Sequence, residues 1–184
     1  MTSFKQLWAK TPAECDVRWH PLILHLLDVS AVADAILARE PPETRERMAG
    51  IIGLPWEQAR PWLLLVIACH DLGKACPGFQ CKWEGATELL SECGLQIPPG
   101  VEKQVNHAFV SQVALAALLK DRQWPEELAD LVADAVGCHH GERPSPNALD
   151  NLECNRTIMG GRRLRGRKAK SLRARAWRRR LGDV

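Results

Sequence analysis

The sequence predicts an all-α body of five or six helices followed by a basic C-terminal segment. Apolar residues recur at helical spacing in several stretches, while no alternating pattern of strand length and no internal repeat occurs. A hydrophobic content of 46% and a charged content of 26% are typical of a globular protein with a buried core. The length of 184 residues allows one domain with an appendage.

The first two predicted helices cover residues 21–40 and 43–53. Apolar residues recur at helical spacing in the first of them, and His25 lies near the middle of its apolar face. The ordinary interpretation of a single histidine there is a core residue that hydrogen-bonds a backbone carbonyl. His20, just before this helix, is predicted to be exposed, and Gly53 is the expected stop of the second helix.

The most apolar stretch of the chain, residues 61–83, is predicted to begin with a buried helix that ends on a histidine and an aspartate. Eight apolar residues run without a break into His70 and Asp71. Pro61 suits the first turn of such a helix, and Gly73 suits its end. Charged groups resist burial unless they are paired or bound to a metal. Without further ligands, the ordinary interpretation is a helix-end aspartate that accepts hydrogen bonds from the backbone or the imidazole.

Two more helices are predicted over residues 105–120 and 126–141. The connection before them, residues 75–100, is long for a compact domain and is predicted to contain one short helix, and such loops tend to be functional. Asn106 is the expected N-cap of the first helix. Residues 141–147 are predicted as turn and loop. The ends of these two helices carry three histidines: His107, His139 and His140.

Nothing in the sequence indicates export or a membrane span. The N-terminal residues contain no apolar core of signal-peptide length, and no run of eighteen apolar residues occurs. The seven cysteines form an odd set without a CxxC pair, which is poor material for a disulfide framework or a zinc ribbon. We therefore expect a cytoplasmic protein with reduced thiols and no membrane partner.

The charge is divided unevenly along the chain. Residues 155–184 contain twelve Arg and Lys and a single acidic residue, a net charge of +11, whereas residues 1–154 carry a net charge of −8. The C-terminal segment has few large apolar residues, so it is predicted to be a disordered tail or a marginal basic helix. Its functional interpretation is attraction of nucleic acid through phosphate neutralisation, and the alternative is a solvated tail.

The histidines carry the strongest functional signal. Five of the six lie on or at the ends of four predicted helices, and Asp71 stands beside one of them. Neutral imidazole and carboxylate suit Mn, Fe, Co, Ni or Zn, whereas Mg prefers oxygen ligands alone. A carboxylate between two metals can bridge them, and Asp71 is the candidate for that role. The five histidines are His25, His70, His107, His139 and His140.

A bridged pair of metal ions implies hydrolysis of a phosphodiester. Two metals roughly 3.5–4 Å apart stabilise the attacking and leaving oxygens of an in-line displacement and lower the pKa of a bound water. No Ser-His-Asp elbow, glycine-rich phosphate loop or Cys-His dyad competes with this interpretation in the sequence. The expected cofactors are two divalent transition-metal ions, with Mn, Co, Ni or Fe ahead of Mg or Zn.

Asp71 and Lys74 are the candidate catalytic residues. Lys74 lies one turn beyond His70, where its ammonium can reach a substrate phosphate or the leaving oxygen as a fixed positive charge. The alternative role of Lys74 is electrostatic, because a cation is favourable at the C-terminal end of a helix.

Four motifs, in this order and at these spacings, resemble one protein family. They are HPLILHLLDVSAVA, ACHDLGKACPGFQCK, VNHAF and AVGCHHG, and they resemble the HD nuclease domain of the CRISPR-associated helicase-nuclease of type I systems. The likeness covers about residues 5–145. It implies an HD-domain helical bundle that nicks and degrades single-stranded DNA, exposed when a guide-RNA surveillance complex opens the target duplex. The implied partners are that DNA, that complex, and a helicase that is a separate or missing chain.

The resemblance also implies a role for each matched residue. Lys74 matches the lysine that follows the family's HD motif. One departure concerns the family's closing helix, which bears a further aspartate ligand; no such stretch follows His140, and Asp150 lies too close to that turn to replace it. The first metal would be bound by His25, His70 and Asp71, with Asp71 bridging, and the second by His107, His139 and His140.

A second departure is the absence of a helicase from 184 residues. One explanation is a truncated or frame-disrupted coding sequence, and another is a stand-alone nuclease subunit with a divergent end. The domain boundary is expected at residue 154, with an incomplete nuclease domain over 1–154 and the basic tail over 155–184. Two alternative functions remain open: an HD phosphohydrolase that acts on nucleotides, and an inactive remnant that binds nucleic acid through its tail.

Overall fold

A computed structural model describes residues 3–11, 19–92, 97, 99–101 and 105–154. Within these residues the all-α class is confirmed, since helices account for most of the chain and the strands are very short. The segment 155–184, predicted as a tail, lies outside the described residues. None of the helices in the described ranges has the length and apolar character that crossing a bilayer requires.

Eight α-helices make up most of the described part of the chain, two more than the upper number predicted. Two short strands, β1 (Trp8–Lys10) and β2 (His20–Pro21), form an antiparallel pair that is too brief to give an alternating pattern in the sequence. A 3-10 helix, Cys69–Ala75, is called here the HD segment. The helices are α1 (Leu22–Leu37), α2 (Pro42–Ile52), α3 (Trp56–Ala68), α4 (Pro77–Gln80), α5 (Glu84–Glu92), α6 (His107–Asp121), α7 (Glu126–Gly137) and α8 (Pro146–Cys154), with a further 3-10 helix at Ser3–Gln6.

The predicted bounds of the central helix are wrong at both ends. Helix α3 begins at Trp56, behind Pro55, and Pro61 lies inside it. Pro61 is the sixth residue of α3, so it removes one backbone hydrogen bond of the helix, and its ring is exposed. The helix ends at Ala68, and the backbone then tightens into the HD segment. The apolar run is also less buried than predicted, because Trp62 is 39% and Leu65 is 46% exposed.

Helix α1 packs along α3, and polar contacts fix the pair. The guanidinium of Arg60 binds the carboxylate of Asp34 through two hydrogen bonds of 2.7 and 2.6 Å. The hydroxyl of Ser30 donates to the carbonyl of Leu64 at 3.4 Å. A two-pronged contact of this kind fixes orientation as well as distance. The contact therefore sets the register in which α1 brings His25 toward the end of α3.

The backbone of the HD segment approaches the backbone of α6 so closely at Gly73 that no side chain would fit between them. The N–H of Gly73 donates to the Ser111 hydroxyl at 2.7 Å, and that hydroxyl donates to the His107 carbonyl at 3.0 Å. A Cβ on Gly73 would lie 2.5 Å from the backbone nitrogen of Ser111, so only glycine fits. The predicted N-cap of α6 is confirmed, since Asn106 accepts a hydrogen bond from the N–H of Ala108 at 3.0 Å. The first turn of α6 is thereby held beside the HD segment.

Two buried clusters flank the HD segment. One joins the HD segment to α6 and α7, and the other joins β1 to α4, α5 and α6. The HD segment is therefore followed and preceded by close-packed side chains. The first cluster contains Cys69, Leu115, Leu119, Ala129, Ala133 and Val136, and the second contains Trp8, Cys76, Phe79, Ala86, Leu90, Val105 and Val110.

The remaining differences from prediction concern loops. The connection 75–100 contains α4 and α5 where one short helix was expected. Helix α7 ends at Gly137, so the two adjacent histidines lie in the turn that follows it, before Gly141 at φ 80°. Helix α8 begins within the predicted loop, where the Ser145 hydroxyl accepts a hydrogen bond from the N–H of Ala148 at 3.2 Å.

Candidate metal centre

Asp71 lies at the centre of a group of five histidines and one lysine. Its side chain is buried, with the residue 4% exposed, in the middle of the HD segment. The backbone there leaves the helical region, at φ −104° and ψ 16°. This sparsely populated region is one in which active-site residues are often found. The kink brings the carboxylate inward, between α1, α6 and the turn after α7.

One carboxylate oxygen of Asp71 faces the side of α1 and α3. Its Oδ2 lies 2.8 Å from Nε2 of His25 and 3.1 Å from Nε2 of His70. The ammonium of Lys74 lies 2.8 Å from the same oxygen. His25, which alone would be read as a core histidine, therefore hydrogen-bonds the carboxylate instead of a backbone carbonyl.

The other carboxylate oxygen faces α6 and the turn after α7. Its Oδ1 lies 3.1 Å from Nε2 of His107 and 3.4 Å from Nε2 of His139. His140 completes this side, with its Nε2 3.0 Å from Nε2 of His107. The two oxygens of one carboxylate thus serve two separate groups of imidazoles.

Two of the imidazoles are oriented by the same local contact. Nδ1 of His70 lies 3.0 Å from the carbonyl of Ile67, and Nδ1 of His139 lies 2.8 Å from the carbonyl of Val136. In a neutral ring, a proton on Nδ1 that is donated to a carbonyl leaves Nε2 as a free lone pair. A metal bound at Nε2 of either ring would leave Nδ1 with the proton that it donates to its carbonyl.

The electrostatics of the site keep the carboxylate ionised. Burial by itself raises the pKa of Asp71, but the imidazoles of His107 and His70 and the ammonium of Lys74 outweigh burial and hold that pKa below its ordinary value. Burial lowers the pKa of His25, which favours its neutral form. The hydrogen bond to Asp71 raises the pKa of His70, so His70 is harder to deprotonate than His25.

The residues present fit a pair of divalent cations. Among the residues that the structure describes, the buried Asp71 Oδ1 and His139 Nε2 have no hydrogen-bond partner, an arrangement that costs free energy unless another group binds them. Two sets of potential ligand atoms occur, and within each set all atoms lie within 4.8 Å of one another. Both sets include Asp71. Asp150 belongs to neither set. The sets are His25, His70 and Asp71 on one side, and Asp71, His107, His139 and His140 on the other.

The structure brings together all six residues that the sequence singled out as ligands, and Lys74 with them. His20 lies apart, where its Nε2 pairs with Asp28 at 2.9 Å between β2 and α1. Sequence reasoning missed Gln80 and Trp8, which hydrogen-bond each other beneath Lys74. The sequence shows only that Gln80 follows Phe79, and this neighbour does not identify a hydrogen-bond partner 72 residues away.

Comparison with protein families decides the relationship. The family model described as "Cas3, HD domain" matches residues 8–183, which is most of the chain. The chain belongs to the Cas3 HD domain family. The resemblance inferred from the four motifs is thereby confirmed, and the match to the Cas3 HD domain extends beyond residue 145 into the basic segment.

Individual relatives agree with this assignment. The CRISPR-associated endonuclease/helicase Cas3 of Thermus thermophilus is 42% identical over 135 residues, which cover 73% of this chain and 14% of that protein. A crystal structure of a CRISPR-associated protein superposes with a TM-score of 0.77 at 32% identity, over 85% of this chain and 17% of the other. The Thermus thermophilus Cas3 HD domain, crystallised in the presence of Ni²⁺, matches with a TM-score of 0.58 at 33% identity. The match covers 82% of this chain and 55% of that domain's chain.

The chain is short beside these Cas3 proteins. It spans about one seventh of the length of the Thermus thermophilus endonuclease/helicase that it matches.

Proposed function

We propose that residues 1–154 form a metal-dependent nuclease domain that hydrolyses phosphodiester bonds of single-stranded DNA within a CRISPR system. The observation that carries the proposal is the position of Asp71, whose two oxygens face two separate groups of imidazoles. A carboxylate shared in this way is what a closely spaced pair of cations requires. Membership of the Cas3 HD domain family supports the same conclusion.

In this proposal each residue has a defined task. His25, His70 and Asp71 hold one cation, and Asp71 with the second group of histidines holds the other. When bound, the cations lower the pKa of a water and stabilise charge on the phosphate oxygens. Lys74 places a fixed positive charge on the side of His25, where it binds a non-bridging oxygen of the scissile phosphate.

The donor set favours particular metals. Five imidazoles and one carboxylate suit Mn, Co, Ni or Fe, whereas Mg prefers oxygen ligands and keeps several waters. The presence of Ni²⁺ in the crystals of the related HD domain is consistent with a site rich in imidazole.

The proposal is tested with the 184-residue protein after removal of metal by a chelator. Adding Mn²⁺, Co²⁺ or Ni²⁺ is expected to restore cleavage of a labelled single-stranded oligonucleotide, while Mg²⁺ restores less. The same preparation is assayed on double-stranded DNA and on mononucleotides. Hydrolysis of mononucleotides alone would point to the nucleotide phosphohydrolase, and binding of none of these metals at micromolar concentration would overturn the proposal.

Metal affinity is expected to rise with pH through the range in which His70 loses its proton. A ligand imidazole must be neutral, and the pKa of His70 is raised above its ordinary value by Asp71. Below that pKa the affinity falls about tenfold per pH unit for each proton that must leave. Asp71 stays ionised over this range, so it adds no slope. Titrations of Mn²⁺ binding between pH 5.5 and 8.5 check this, and an affinity independent of pH contradicts it.

The partners follow from the relatives and are part of the proposal. The related Thermus thermophilus protein is named as an endonuclease/helicase, and the match covers 14% of it. We therefore propose that a helicase and a guide-RNA surveillance complex deliver the DNA strand. The basic segment 155–184, with a net charge of +11, is suited to binding the phosphates of that strand.

A further inference from the structure

A buried amide joins strand β1 to the segment that carries Lys74. Gln80 is 1% exposed, and its Oε1 accepts a hydrogen bond from the N–H of Trp8 at 3.1 Å. Its Nε2 donates to the carbonyl of Trp8 at 2.9 Å and to the carbonyl of Lys74 at 2.7 Å. The indole N–H of Trp8 donates in return to the carbonyl of Gln80 at 2.9 Å. We call these four hydrogen bonds the Gln80 bridge.

The Gln80 bridge requires an amide in this orientation. Two carbonyl oxygens and one N–H surround the side chain, so both amide hydrogens and the oxygen are used. A carboxylate at this position would face two carbonyl oxygens without a hydrogen to donate. An unsatisfied buried polar group is costly, and a side chain without polar atoms would free all three backbone groups. The chemistry of residue 80 is therefore specific, although its side chain bonds only to backbone.

The ammonium of Lys74 is held by groups that the Gln80 bridge controls. It lies 2.8 Å from Oδ2 of Asp71, 3.4 Å from the carbonyl of Ala9, and 5.4 Å from the ring centre of Phe79. Ala9 follows Trp8, and Phe79 precedes Gln80 and stacks on Trp8 with 4.5 Å between ring centres. Two of the three groups that hold the ammonium thus depend on the bridge.

A cation bound to Oδ2 of Asp71 would compete with the ammonium for that oxygen, because like charges repel at this distance. The carbonyl of Ala9 and the ring of Phe79 then remain to hold Lys74. A positive charge assists a reaction most when it is fixed in place before the substrate arrives. The position of those two groups consequently decides where the charge of Lys74 lies in the loaded site.

We propose that Gln80 is a positioning residue, which fixes the Lys74 ammonium beside the metal centre through Trp8 and Ala9. This inference rests on the proposed function, since Lys74 is there the group that binds the scissile phosphate. In this role Gln80 binds neither metal nor substrate and acts only through Lys74.

The first test needs no metal and no activity. In the metal-free protein, acylation of Lys74 by an amine-reactive reagent is followed by mass spectrometry, with Lys120 as the internal reference. In Gln80→Met the rate at Lys74 is expected to rise roughly five- to tenfold, since three buried hydrogen bonds are lost. Leu90→Ala, in the same buried cluster as Trp8, is the control for general loosening. An unchanged rate at Lys74, or an equal rise in the control, overturns the inference.

The second test is a double-mutant cycle on cleavage of single-stranded DNA. Gln80→Met is expected to lower kcat about tenfold with KM and Mn²⁺ affinity unchanged, and to have no effect in a Lys74→Ala background. Equal effects in both backgrounds overturn the inference. If the unaltered protein cleaves no DNA, the proposed function fails while acylation still decides the role of Gln80. Gln80→Glu, which keeps the side-chain length but lacks the NH₂ group that donates to the carbonyls of Trp8 and Lys74, replaces Gln80→Met in both tests if the latter does not fold.

Discussion

Asp71→Asn is expected to remove metal binding at both groups of imidazoles and to abolish DNA cleavage. The amide presents one oxygen and one NH₂ group, so at least one side of the site meets hydrogens where it needs a lone pair. Loss of an outer-shell partner already lowers metal affinity 10- to 100-fold, and the loss of a shared ligand is expected to exceed about 100-fold. Metal content after dialysis against Mn²⁺, together with cleavage of a single-stranded oligonucleotide, measures both effects.

The control for Asp71→Asn is Asp150→Asn, which makes the same chemical change in α8. Asp150 is exposed and belongs to neither set of ligand atoms, so metal content and cleavage are expected to stay as in the unaltered protein. If Asp71→Asn retains both, neither metal binding nor cleavage depends on this carboxylate, and the proposed function fails. If Asp150→Asn loses metal, Asp150 supplies the ligand that the family's closing aspartate provides.

The chemistry of the site could be predicted from the sequence because its residues sit at element ends. His107, His139 and His140 flank helices whose apolar spacing is unambiguous, and His70 and Asp71 close the most apolar run. Apolar faces that must be buried together bring such ends together. Periodicity alone, however, left His25 as an ordinary core histidine. Its partner is Asp71, 46 residues away, and only the packing of α1 on α3 reveals the contact.

The bounds of α3 illustrate what periodicity cannot determine. Where eight consecutive residues are apolar, the pattern contains no contrast that would indicate which of them face the core. Trp62 and Leu65 are consequently exposed although the run was predicted to be buried. The sequence predicts Pro61 as a helix start, but α3 begins at Trp56, after Pro55, and Pro61 is its sixth residue, where the missing N–H removes one hydrogen bond of the helix.

The Gln80 bridge was beyond prediction for a different reason. Three of its hydrogen bonds join residues 72 positions apart, and three of its four partner groups are backbone atoms. The sequence specifies that an amide stands at position 80 but not which carbonyls surround it. A buried polar residue predicts that partners exist, and only the fold supplies their identity.

Gly73→Ala is expected to destabilise the protein severely. The added methyl group would meet the carbonyl of His107 and lie 2.5 Å from the backbone nitrogen of Ser111, and neither backbone atom can rotate away as a side chain would. Overpacking typically costs about 1–3 kcal/mol, and the hydrogen bond from Gly73 to Ser111 would be lost as α6 moves, for a total of roughly 3–4 kcal/mol. Urea unfolding followed by tryptophan fluorescence measures the change in the free energy of unfolding.

The matched control is Gly50→Ala, the same substitution inside α2, where no atom of the described residues lies within 4 Å of the added methyl group. Since alanine is the better helix former, stability there is expected to rise by up to about 1 kcal/mol. The contrast separates close packing from any general effect of replacing glycine. His107 begins α6 and faces Asp71, so a shift of α6 that accommodates the methyl group should weaken Mn²⁺ binding as well. A Gly73→Ala protein with unaltered stability and metal affinity would contradict the tight approach of α6 on which the geometry of the site depends.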